Sequence, residues 1–407
     1  MKSYSLIIFS LFLQGCAAFT FFGVPLPWIG KVVGCFLLVK EMLRLRMYFP
    51  SPVKVVLIYA LFSVLVTIAT WGEGMEVSGM SQSYPVFIFL RYLDLIAFIG
   101  VFIATYRVCM QQGEEELLSA IIMISVILSI YALYAYAAHY FGLPVIPRNR
   151  ASPGGGDNNA LVYSYDFFRA AGSFQEPSHL AQWLVSPLLM VFFKFQKVKK
   201  SLKLCLLMAF LFTGSLLGIV SLGIAFLVYF YFSGVKSFKL WLYVILGGGS
   251  LAWVLRFFDV DVFGVAARRV ENIIEGGMVE SSRGDIYEFV YDNPPPFFGH
   301  GLGNSNLYFS NETGSDLVRT YANIFFDSWM SLGWGGVFLL LAFFGALFYR
   351  GCKAEYCEKP IWLAVTAGWL ALYVGRVSHF DIYSALWFGI ITYKTGGQVM
   401  KKGESFA

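Results

Sequence analysis

Charged residues are scarce in this sequence of 407 residues, since aspartate, glutamate, lysine and arginine together make up only 14% of it. A soluble chain usually carries about 25% charged residues, because its surface has to face water. Hydrophobic residues account for 58% and aromatic residues for 18%. This composition excludes a soluble globular domain, a nucleic-acid-binding chain, a disordered chain and a coiled coil.

Cysteine is scarce as well, and the six cysteines do not form close pairs that would indicate a disulfide framework or a metal site. The chain has one Asp-x-Asp motif, Asp259-Val260-Asp261. Such carboxylates can hold a divalent ion against pyrophosphate, but two residues apart they face the same way only in an extended segment. We therefore expect no metal site and no cofactor.

The apolar residues fall into twelve blocks near the ~20-residue length of a bilayer span. They predict an all-α polytopic integral membrane protein with about 12 transmembrane helices, a single membrane domain over 1–407, and both termini in the cytoplasm. The seventh and eighth blocks count as two spans, because this arrangement keeps most lysines and arginines of the short loops on the cytoplasmic side. The blocks are 6–22, 26–39, 55–71, 84–105, 117–141, 178–195, 203–217, 219–233, 239–257, 321–349, 361–376 and 380–393.

Two connections on the predicted outer side are long, residues 142–177 and 258–320, and we expect short helices within them. Long loops in compact proteins are usually functional or disordered. The cations of the outer side are all arginines. Arginine carries a planar fork of donors that fits a phosphate or carboxylate, so the choice indicates oxyanion binding. These arginines are Arg148, Arg150, Arg169, Arg256, Arg268, Arg269, Arg283 and Arg319.

The first outer loop ends in a segment with three candidate site residues. Arg169 precedes a glycine turn, and Glu176 directly precedes Pro177, which suits the first turn of a helix. Glu176 is either a helix cap or a carboxylate that accepts a proton or positions a sugar hydroxyl. His179, one turn into that helix, is either an interfacial packing residue or a catalytic base.

The second outer loop contains a short helix opening near residues 281–287, a stiff proline turn, and the segment GHGLGN at 299–304. The glycines do not form a dinucleotide fingerprint, because no strand precedes them and no helix clearly follows. They let backbone amides approach a ligand or another loop closely. His300 is the one histidine of this loop and a candidate catalytic base.

The tenth span opens with Tyr321 and Asn323 and contains the sequence GWGG at 333–336, which predicts a helix break or a re-entrant point. Asn323 and Asp327 are one turn apart and share a helix face. Within the fourth span, Arg91 and Asp94 are three residues apart, and we expect them to neutralise each other as a structural pair.

Two motif groups and the span pattern together resemble the bacterial O-antigen polymerase (Wzy-type) and O-antigen ligase superfamily. The first is Arg169 with GSF at 172–174, and the second is Arg283 with GHGLG at 299–303. Fifteen residues separate Arg283 from Gly299, a spacing of the polymerases in the later of their two large loops. The earlier loop departs from the pattern, because no arginine there has a glycine eleven positions on.

A second departure distinguishes polymerase from ligase. Ligases usually carry a His-Asn pair at the opening of the span that ends in a glycine-rich break, and the histidine is implicated in acceptor activation. The matching stretch here is Tyr321-Ala322-Asn323, so the asparagine aligns and the histidine does not. The polymerase is therefore favoured, although His179 or His300 could substitute and keep the ligase open.

The resemblance implies a polysaccharide polymerase of the bacterial inner membrane, in lipopolysaccharide or exopolysaccharide biosynthesis, with a periplasmic active site. Glycan would pass from an undecaprenyl-diphosphate-linked donor to a sugar hydroxyl of a second lipid-linked glycan, without a metal, and a chain-length regulator would be a partner. The alternatives are a ligase to lipid A-core and a transporter or flippase of lipid-linked oligosaccharide. The implied residues are Arg169, Arg283 and Arg319 for the diphosphate, Glu176, His179 or His300 as base, and Asn323 and Tyr321 for the acceptor sugar.

Overall fold

The computed structural model describes residues 3–43, 49–72, 82–150, 163–164, 167–195, 197–234, 284–316, 318–321, 323–355, 358–375 and 380–394. Two two-stranded antiparallel hairpins, β1–β2 (Thr20–Phe21 and Val24–Pro25) and β3–β4 (Tyr163–Ser164 and Phe167–Phe168), accompany the helices. A π-helical turn, Met190–Lys194, continues α6. The described helices are α1 (Ser3–Gly15), α2 (Leu26–Met42), α3 (Ser51–Ala69), α4 (Tyr84–Gln112), α5 (Glu115–Phe141), α6 (Pro177–Leu189), α7 (Lys200–Phe212), α8 (Leu216–Ser233), α9 (Gly284–Asp292), α10 (Asn304–Glu312), α11 (Ile324–Cys352), α12 (Lys359–Gly375) and α13 (Ile382–Lys394).

Five of the described helices, α3, α4, α5, α8 and α11, are long and apolar enough to cross a bilayer. They indicate a membrane-embedded helical protein, as the composition predicts. The prediction of about 12 full-length spans is wrong for the described residues, since α1, α2, α6, α7, α12 and α13 have only 13–17 residues. Apolar blocks overestimate helix length where they run into turns: the block 6–22 leaves the helix at Gly15 and enters the β1–β2 hairpin. The block 239–257 lies outside the described residues.

The seventh and eighth blocks form separate helices, α7 and α8, as predicted. Gly214 takes a left-handed conformation with φ of 55°, and the Ser215 hydroxyl accepts a hydrogen bond from the Gly218 amide at 3.3 Å. The hydroxyl caps α8, because it satisfies one of the backbone donors left unpaired at a helix start. The small residues between the two blocks therefore end one helix and begin the next.

Four charged side chains from different turns meet at one end of the bundle. Lys194 Nζ lies 2.9 Å from Glu114 Oε1 and 3.0 Å from Glu358 Oε1. Lys394 Nζ lies 2.6 Å from the same Glu114 oxygen and 2.8 Å from Glu358 Oε2. This four-residue clasp joins the α4–α5 turn, the π-helical turn, the start of α12 and the end of α13. We call this end of the bundle the turn face.

The opposite end is the loop face, which holds residues 142–150, 169–176 and 293–316. The 27 residues of α5 begin beside the clasp and rise about 40 Å, so their other end lies at this second face. Its contacts link the ends of α1, α3 and α7 with both outer loops. This grouping agrees with the predicted alternation of spans, while the cytoplasmic and periplasmic assignment of the faces stays a prediction.

The predicted pair of Arg91 with Asp94 is wrong. Asp94 instead forms an ion pair with Lys31 of α2, at 2.5 Å from Nζ to Oδ1. The Arg91 guanidinium lies over the ring of Phe87, 5.0 Å from its centroid. Residues three apart on a helix can pair, but α2 packs closely on α4 and brings a lysine to the carboxylate instead.

Candidate functional site

The loop that carries His300 crosses α11 at the point where this helix is interrupted. Gly333 has φ of 59° and ψ of −154°, so the predicted break in the GWGG sequence is confirmed. A Cβ at Gly333 would overlap the carbonyl oxygen of Phe297, and one at Gly299 would overlap the Ser331 backbone. Only glycine fits at either position, because the two backbones touch.

Hydrogen bonds fix the backbone of this loop on both sides. The His300 amide donates to the Met330 carbonyl at 2.9 Å, and the Gly301 amide donates to the Ser331 carbonyl at 2.7 Å. On the other side, the Thr70 hydroxyl at the end of α3 donates to the His300 carbonyl at 2.8 Å. The peptide of His300 is thereby held between α3 and α11.

A helix does follow the glycines, contrary to the sequence prediction. It is α10, which starts at Asn304 after Gly303, whose φ is 88°. The side-chain Nδ2 of Asn304 donates to the Thr70 hydroxyl at 3.1 Å, and its Oδ1 accepts from the Tyr84 hydroxyl at 2.8 Å. Tertiary contacts of this kind stabilise a short polar helix whose own sequence gives little signal.

Successive residues of α10 hold two predicted site residues. The imidazole of His300 stacks on the ring of Tyr308 with centroids 4.2 Å apart. The guanidinium of Arg319 lies over the ring of Phe309, 5.5 Å from its centroid. His300 and Arg319 thus contact consecutive residues of one helix at the loop face.

Burial lowers the pKa of His300 below its ordinary value of 6.5, because desolvation disfavours the imidazolium. The imidazole is therefore neutral at pH 7 and can accept a proton. Within the described part of the chain, no carboxylate forms an ion pair with Arg319. Its backbone is fixed by the Ser310 hydroxyl, which accepts from the Arg319 amide at 2.7 Å, and by Asn306, which donates to its carbonyl at 3.1 Å.

Tyr321 and Asn323 lie in the same cluster, where each has a structural contact. The Tyr321 ring is fully buried and stacks on Phe309 at 5.2 Å, and its hydroxyl donates to the Ser305 carbonyl at 2.7 Å. The Asn323 side chain caps α11, since its oxygen accepts from the Phe326 amide at 2.9 Å. Their predicted role with the acceptor sugar stays a prediction.

The predicted residues of the first loop lie away from α10, before and at the start of α6. Arg169 is 6% exposed, and its Nε donates at 2.7 Å to the carbonyl of Thr213, in the turn between α7 and α8. Glu176 precedes α6, and its Oε2 accepts from the Ser178 hydroxyl at 3.0 Å, while the His179 amide donates to the Glu176 carbonyl at 3.1 Å. Glu176 and His179 thus stand together at the start of α6.

Other arginines of this loop also bind backbone carbonyls. Arg148 donates to the carbonyls of Phe174 and Gln175, the latter at 3.0 Å, and Arg150 donates to the carbonyl of Ala17 at 3.0 Å. Burial lowers the pKa of both guanidinium groups, although both stay charged at neutral pH. The preference for arginine on the predicted outer side therefore has a structural cause in at least part of the set: a forked donor ties loops to helix ends.

The structure thus brings the described site residues into two groups. The second-loop group is His300, Arg319, Tyr321 and Asn323, carried by α10 and the start of α11. The first-loop group is Arg169, Glu176 and His179, beside α6 and the α7–α8 turn. Arg283, Asp259 and Asp261 lie outside the described residues, and within the described residues no three His, Cys, Asp or Glu side chains come together as metal ligands.

A hollow of about 470 Å³ at the loop-face end of α5 was missed by the sequence prediction. Tyr131, Tyr136 and His139 of α5 line it together with Arg148 and Phe168. The signal was present in the sequence, because aromatic residues crowd the last third of α5. Aromatic residues also commonly form membrane-interface belts, so this signal is not specific for a hollow.

The sequence matches no family model and no curated protein. The resemblance to the O-antigen polymerase and ligase superfamily therefore stays a prediction that depends on short motifs. The geometry of the second-loop group is independent of that resemblance.

Proposed function

We propose that this chain is a membrane glycosyltransferase that polymerises polysaccharide repeat units. It would transfer glycan from an undecaprenyl-diphosphate-linked donor to a sugar hydroxyl of a second lipid-linked glycan, at the periplasmic face of the bacterial inner membrane. The observation that carries the proposal is that one short helix, α10, contacts both a neutral imidazole, His300, and a guanidinium, Arg319, through its consecutive residues Tyr308 and Phe309. One is a base and the other a ligand for an anionic leaving group.

In the proposed reaction, the acceptor hydroxyl oxygen attacks the anomeric carbon of the donor sugar. The bond from that carbon to the diphosphate oxygen breaks, and its electron pair stays on the diphosphate. The hydroxyl proton passes to the imidazole of His300. The lowered pKa of His300 supports this role, because the base has to be unprotonated before the reaction at neutral pH.

Diphosphate is a good leaving group that requires positive charge more than a proton. Arg319 supplies a guanidinium, and no carboxylate of the described residues forms an ion pair with it. The backbone of Arg319 is held at both its amide and its carbonyl. A preorganised donor of this kind can contribute about 3–4 kcal/mol to transition-state stabilisation. Arg283 is the second predicted ligand, from its spacing to Gly299. Arg169 is a weaker candidate, because its Nε already binds the Thr213 carbonyl.

His300 takes precedence over Glu176 and His179 as the proposed base. The carboxylate of Glu176 is hydrogen-bonded by the Ser178 hydroxyl at the start of α6, as expected of a helix-start residue. His300 is the candidate whose imidazole contacts the same short helix, α10, as an arginine of the same loop. The absence of a histidine directly before Asn323 supports the polymerase, while a base at His300 leaves the ligase as the alternative.

The deciding experiment uses the purified chain in lipid nanodiscs with undecaprenyl-diphosphate-linked oligosaccharide as sole substrate. A polymerase releases undecaprenyl diphosphate in step with lengthening of the glycan, and both can be resolved by mass spectrometry. His300→Gln and Arg319→Gln should slow both by about 10²-fold or more, while Arg150→Lys, at a carbonyl-binding arginine of the other loop, should retain the unmodified rate. Release of no lipid diphosphate would reject the transferase, and movement of the intact lipid across a vesicle membrane would identify a flippase instead.

A further inference from the structure

Arg91 is a cation of the membrane-spanning helix α4 whose charge is left unpaired. Within the part of the chain that the structure describes, it forms no ion pair and no hydrogen bond, and its Nε is buried without a partner. The one carboxylate of α4, Asp94, is bound instead by Lys31 of α2 at 2.5 Å. Of these three charges, the one on Arg91 is therefore available to an anion from outside the chain.

An unpaired guanidinium is unfavourable within a membrane span. Arginine keeps its positive charge in proteins, and a buried charged donor without an acceptor loses its hydration without compensation. Ionisable residues are rare in membrane spans for this reason, and those that occur commonly mark a binding site. The ring of Phe87, 5.0 Å from the guanidinium, attracts the charge but supplies no oxygen acceptor. The missing partner of Arg91 is thus an oxyanion.

Arg91 lies against the loop that carries His300. A Cβ at Gly303 would come within 3.3 Å of the Cγ atom of Arg91, so the loop backbone packs directly on this side chain. Two turns earlier on α4, the Tyr84 hydroxyl donates to Asn304 at 2.8 Å and ties the same loop to the helix. The stem of Arg91 is therefore fixed beside the second-loop group.

The position of Arg91 along α4 places it near the membrane boundary. The helix runs from the loop face to the turn face over 29 residues, or about 43 Å, while the hydrocarbon layer is about 30 Å thick. Arg91 lies seven residues, or about 10 Å, from the loop-face end. If the excess length is shared between both ends, Arg91 lies within about one helical turn of the boundary. A long arginine side chain at this depth reaches the phosphates of membrane lipids.

We propose that Arg91 is a further ligand for the diphosphate of the lipid-linked donor. The inference rests on the proposed function, to which it adds a cation from a membrane-spanning helix beside the loop arginine Arg319. The guanidinium fork matches two oxygens of a phosphate group, and a lipid carries its phosphate at the height of Arg91. Arg91 binds the donor and takes no proton from the acceptor.

The test measures lipid binding in the absence of transfer. The probe is undecaprenyl diphosphate, titrated into phosphatidylcholine nanodiscs that hold the purified full chain, and native mass spectrometry counts the bound lipid. The unmodified chain should prefer this lipid to phosphatidylglycerol at least tenfold. Arg91→Gln should weaken its binding at least tenfold. Arg91→Lys should weaken it several-fold, because an ammonium keeps the charge but lacks the fork.

The ion pair of Lys31 and Asp94 provides matched variants in the same region. Lys31→Gln frees the carboxylate of Asp94, which can then pair with Arg91 three residues away, so binding should weaken about as much as in Arg91→Gln. The double variant Lys31→Gln with Asp94→Asn removes the pair altogether. It should bind undecaprenyl diphosphate as the unmodified chain does.

Thermal unfolding separates a binding role of Arg91 from a structural one. Without added lipid, Arg91→Gln should unfold at the same temperature as the unmodified chain or higher, because it removes an unpaired charge. Undecaprenyl diphosphate should raise the unfolding midpoint of the unmodified chain, since it binds the folded state, but not that of the variant.

The outcomes keep this inference distinct from the proposed function. Unchanged diphosphate binding in Arg91→Gln, or equal affinity of the unmodified chain for phosphatidylglycerol, would overturn the inference. A lower unfolding midpoint of lipid-free Arg91→Gln would also overturn it, by showing that Arg91 has a partner within the fold. Arg91-dependent binding in a chain that transfers no glycan would reject the transferase and retain Arg91 as a ligand for the lipid diphosphate.

Discussion

The imidazole ring of His300 lies almost parallel to the phenol ring of Tyr308, with centroids 4.2 Å apart and 18° between the planes. This contact covers one face of the histidine, while the backbone of the same residue is held by Met330 and Thr70. The result is a fixed, partly desolvated imidazole. Its pKa is lowered by burial, so protonation requires a pH below the ordinary value of 6.5.

The pH dependence of transfer follows from this lowered pKa. If His300 is the base, kcat/KM should be constant above pH 6.5 and fall only as the pH drops through the lower pKa of the folded state. Tyr308→Leu should expose the imidazole and move the acid limb toward 6.5. The check is the rate of undecaprenyl diphosphate release across pH 5–8. An acid limb that persists unchanged in His300→Gln would assign it to another group.

Replacement of Arg319 should reduce the rate rather than the stability. Arg319→Gln removes the guanidinium and should lower kcat by about 10²–10³, and Arg319→Lys should lose at least about tenfold, because an ammonium lacks the planar fork. The backbone contacts to Ser310 and Asn306 remain in both variants. Thermal unfolding within a few degrees of the unmodified chain is the control, and normal turnover in both variants would remove Arg319 from the mechanism.

The break in α11 provides a test of the loop position with a matched control in the same helix. Gly333→Ala should disrupt both activity and stability, because its Cβ would overlap the Phe297 carbonyl and its φ is positive. Gly345→Ala has open space around it and should be neutral or stabilising by up to ~1 kcal/mol through higher helix propensity. Unfolding in detergent, monitored by circular dichroism, compares the two. Equal behaviour would show that the loop does not depend on the break.

The clasp should contribute to stability at the turn face. Glu114→Gln leaves two lysines opposite one carboxylate, and we expect it to cost about 2–4 kcal/mol, since breaking a largely buried ion pair leaves an unpaired charge. The exposed neighbour Glu115→Gln should change little. Thermal unfolding of both variants gives the comparison. A Glu114→Gln midpoint equal to that of Glu115→Gln would mean that the clasp adds nothing.

The same cluster predicts a loss of stability in acid. Burial alone would raise the pKa of Glu114 and Glu358, but hydrogen bonds from Lys394 and Lys194 outweigh it and lower both pKa values below the ordinary 4.5. The folded state therefore holds fewer protons than the unfolded state, and the stabilisation is present above about pH 4.5. It should be lost as the pH falls through the lowered values. Unfolding midpoints between pH 3 and 7 measure the effect, which Glu114→Gln should reduce.

Local signals in the sequence predicted local features of the fold. Hydropathy located the apolar helices, the small residues near Gly214 separated α7 from α8, and the GWGG sequence located the break at Gly333. Each of these depends on the conformational preference of a few consecutive residues. Helix length was overestimated, because an apolar residue in a turn is indistinguishable by hydropathy from one in the helix before it.

Features that depend on contacts between distant segments were not predicted. The sequence spacing paired Asp94 with Arg91, yet Lys31 lies 63 positions before Asp94 and reaches it across a helix contact. The α10 helix has a weak signal of its own and is held by Thr70 and Tyr84. The hollow requires Phe168 to close against α5, which no spacing within either segment reveals.

The interruption of α11 leaves a segment of membrane-spanning length after it. Residues 333–352, after the break, number 20 and rise about 30 Å, which equals the hydrocarbon thickness of a typical membrane. Trp334, half exposed at the top of this stretch, suits the boundary between acyl chains and headgroups. His300 binds the carbonyl of Met330, just above that boundary. Under the proposed function, the prenyl lipid of the donor would carry its phosphates at this height and reach the histidine from within the membrane.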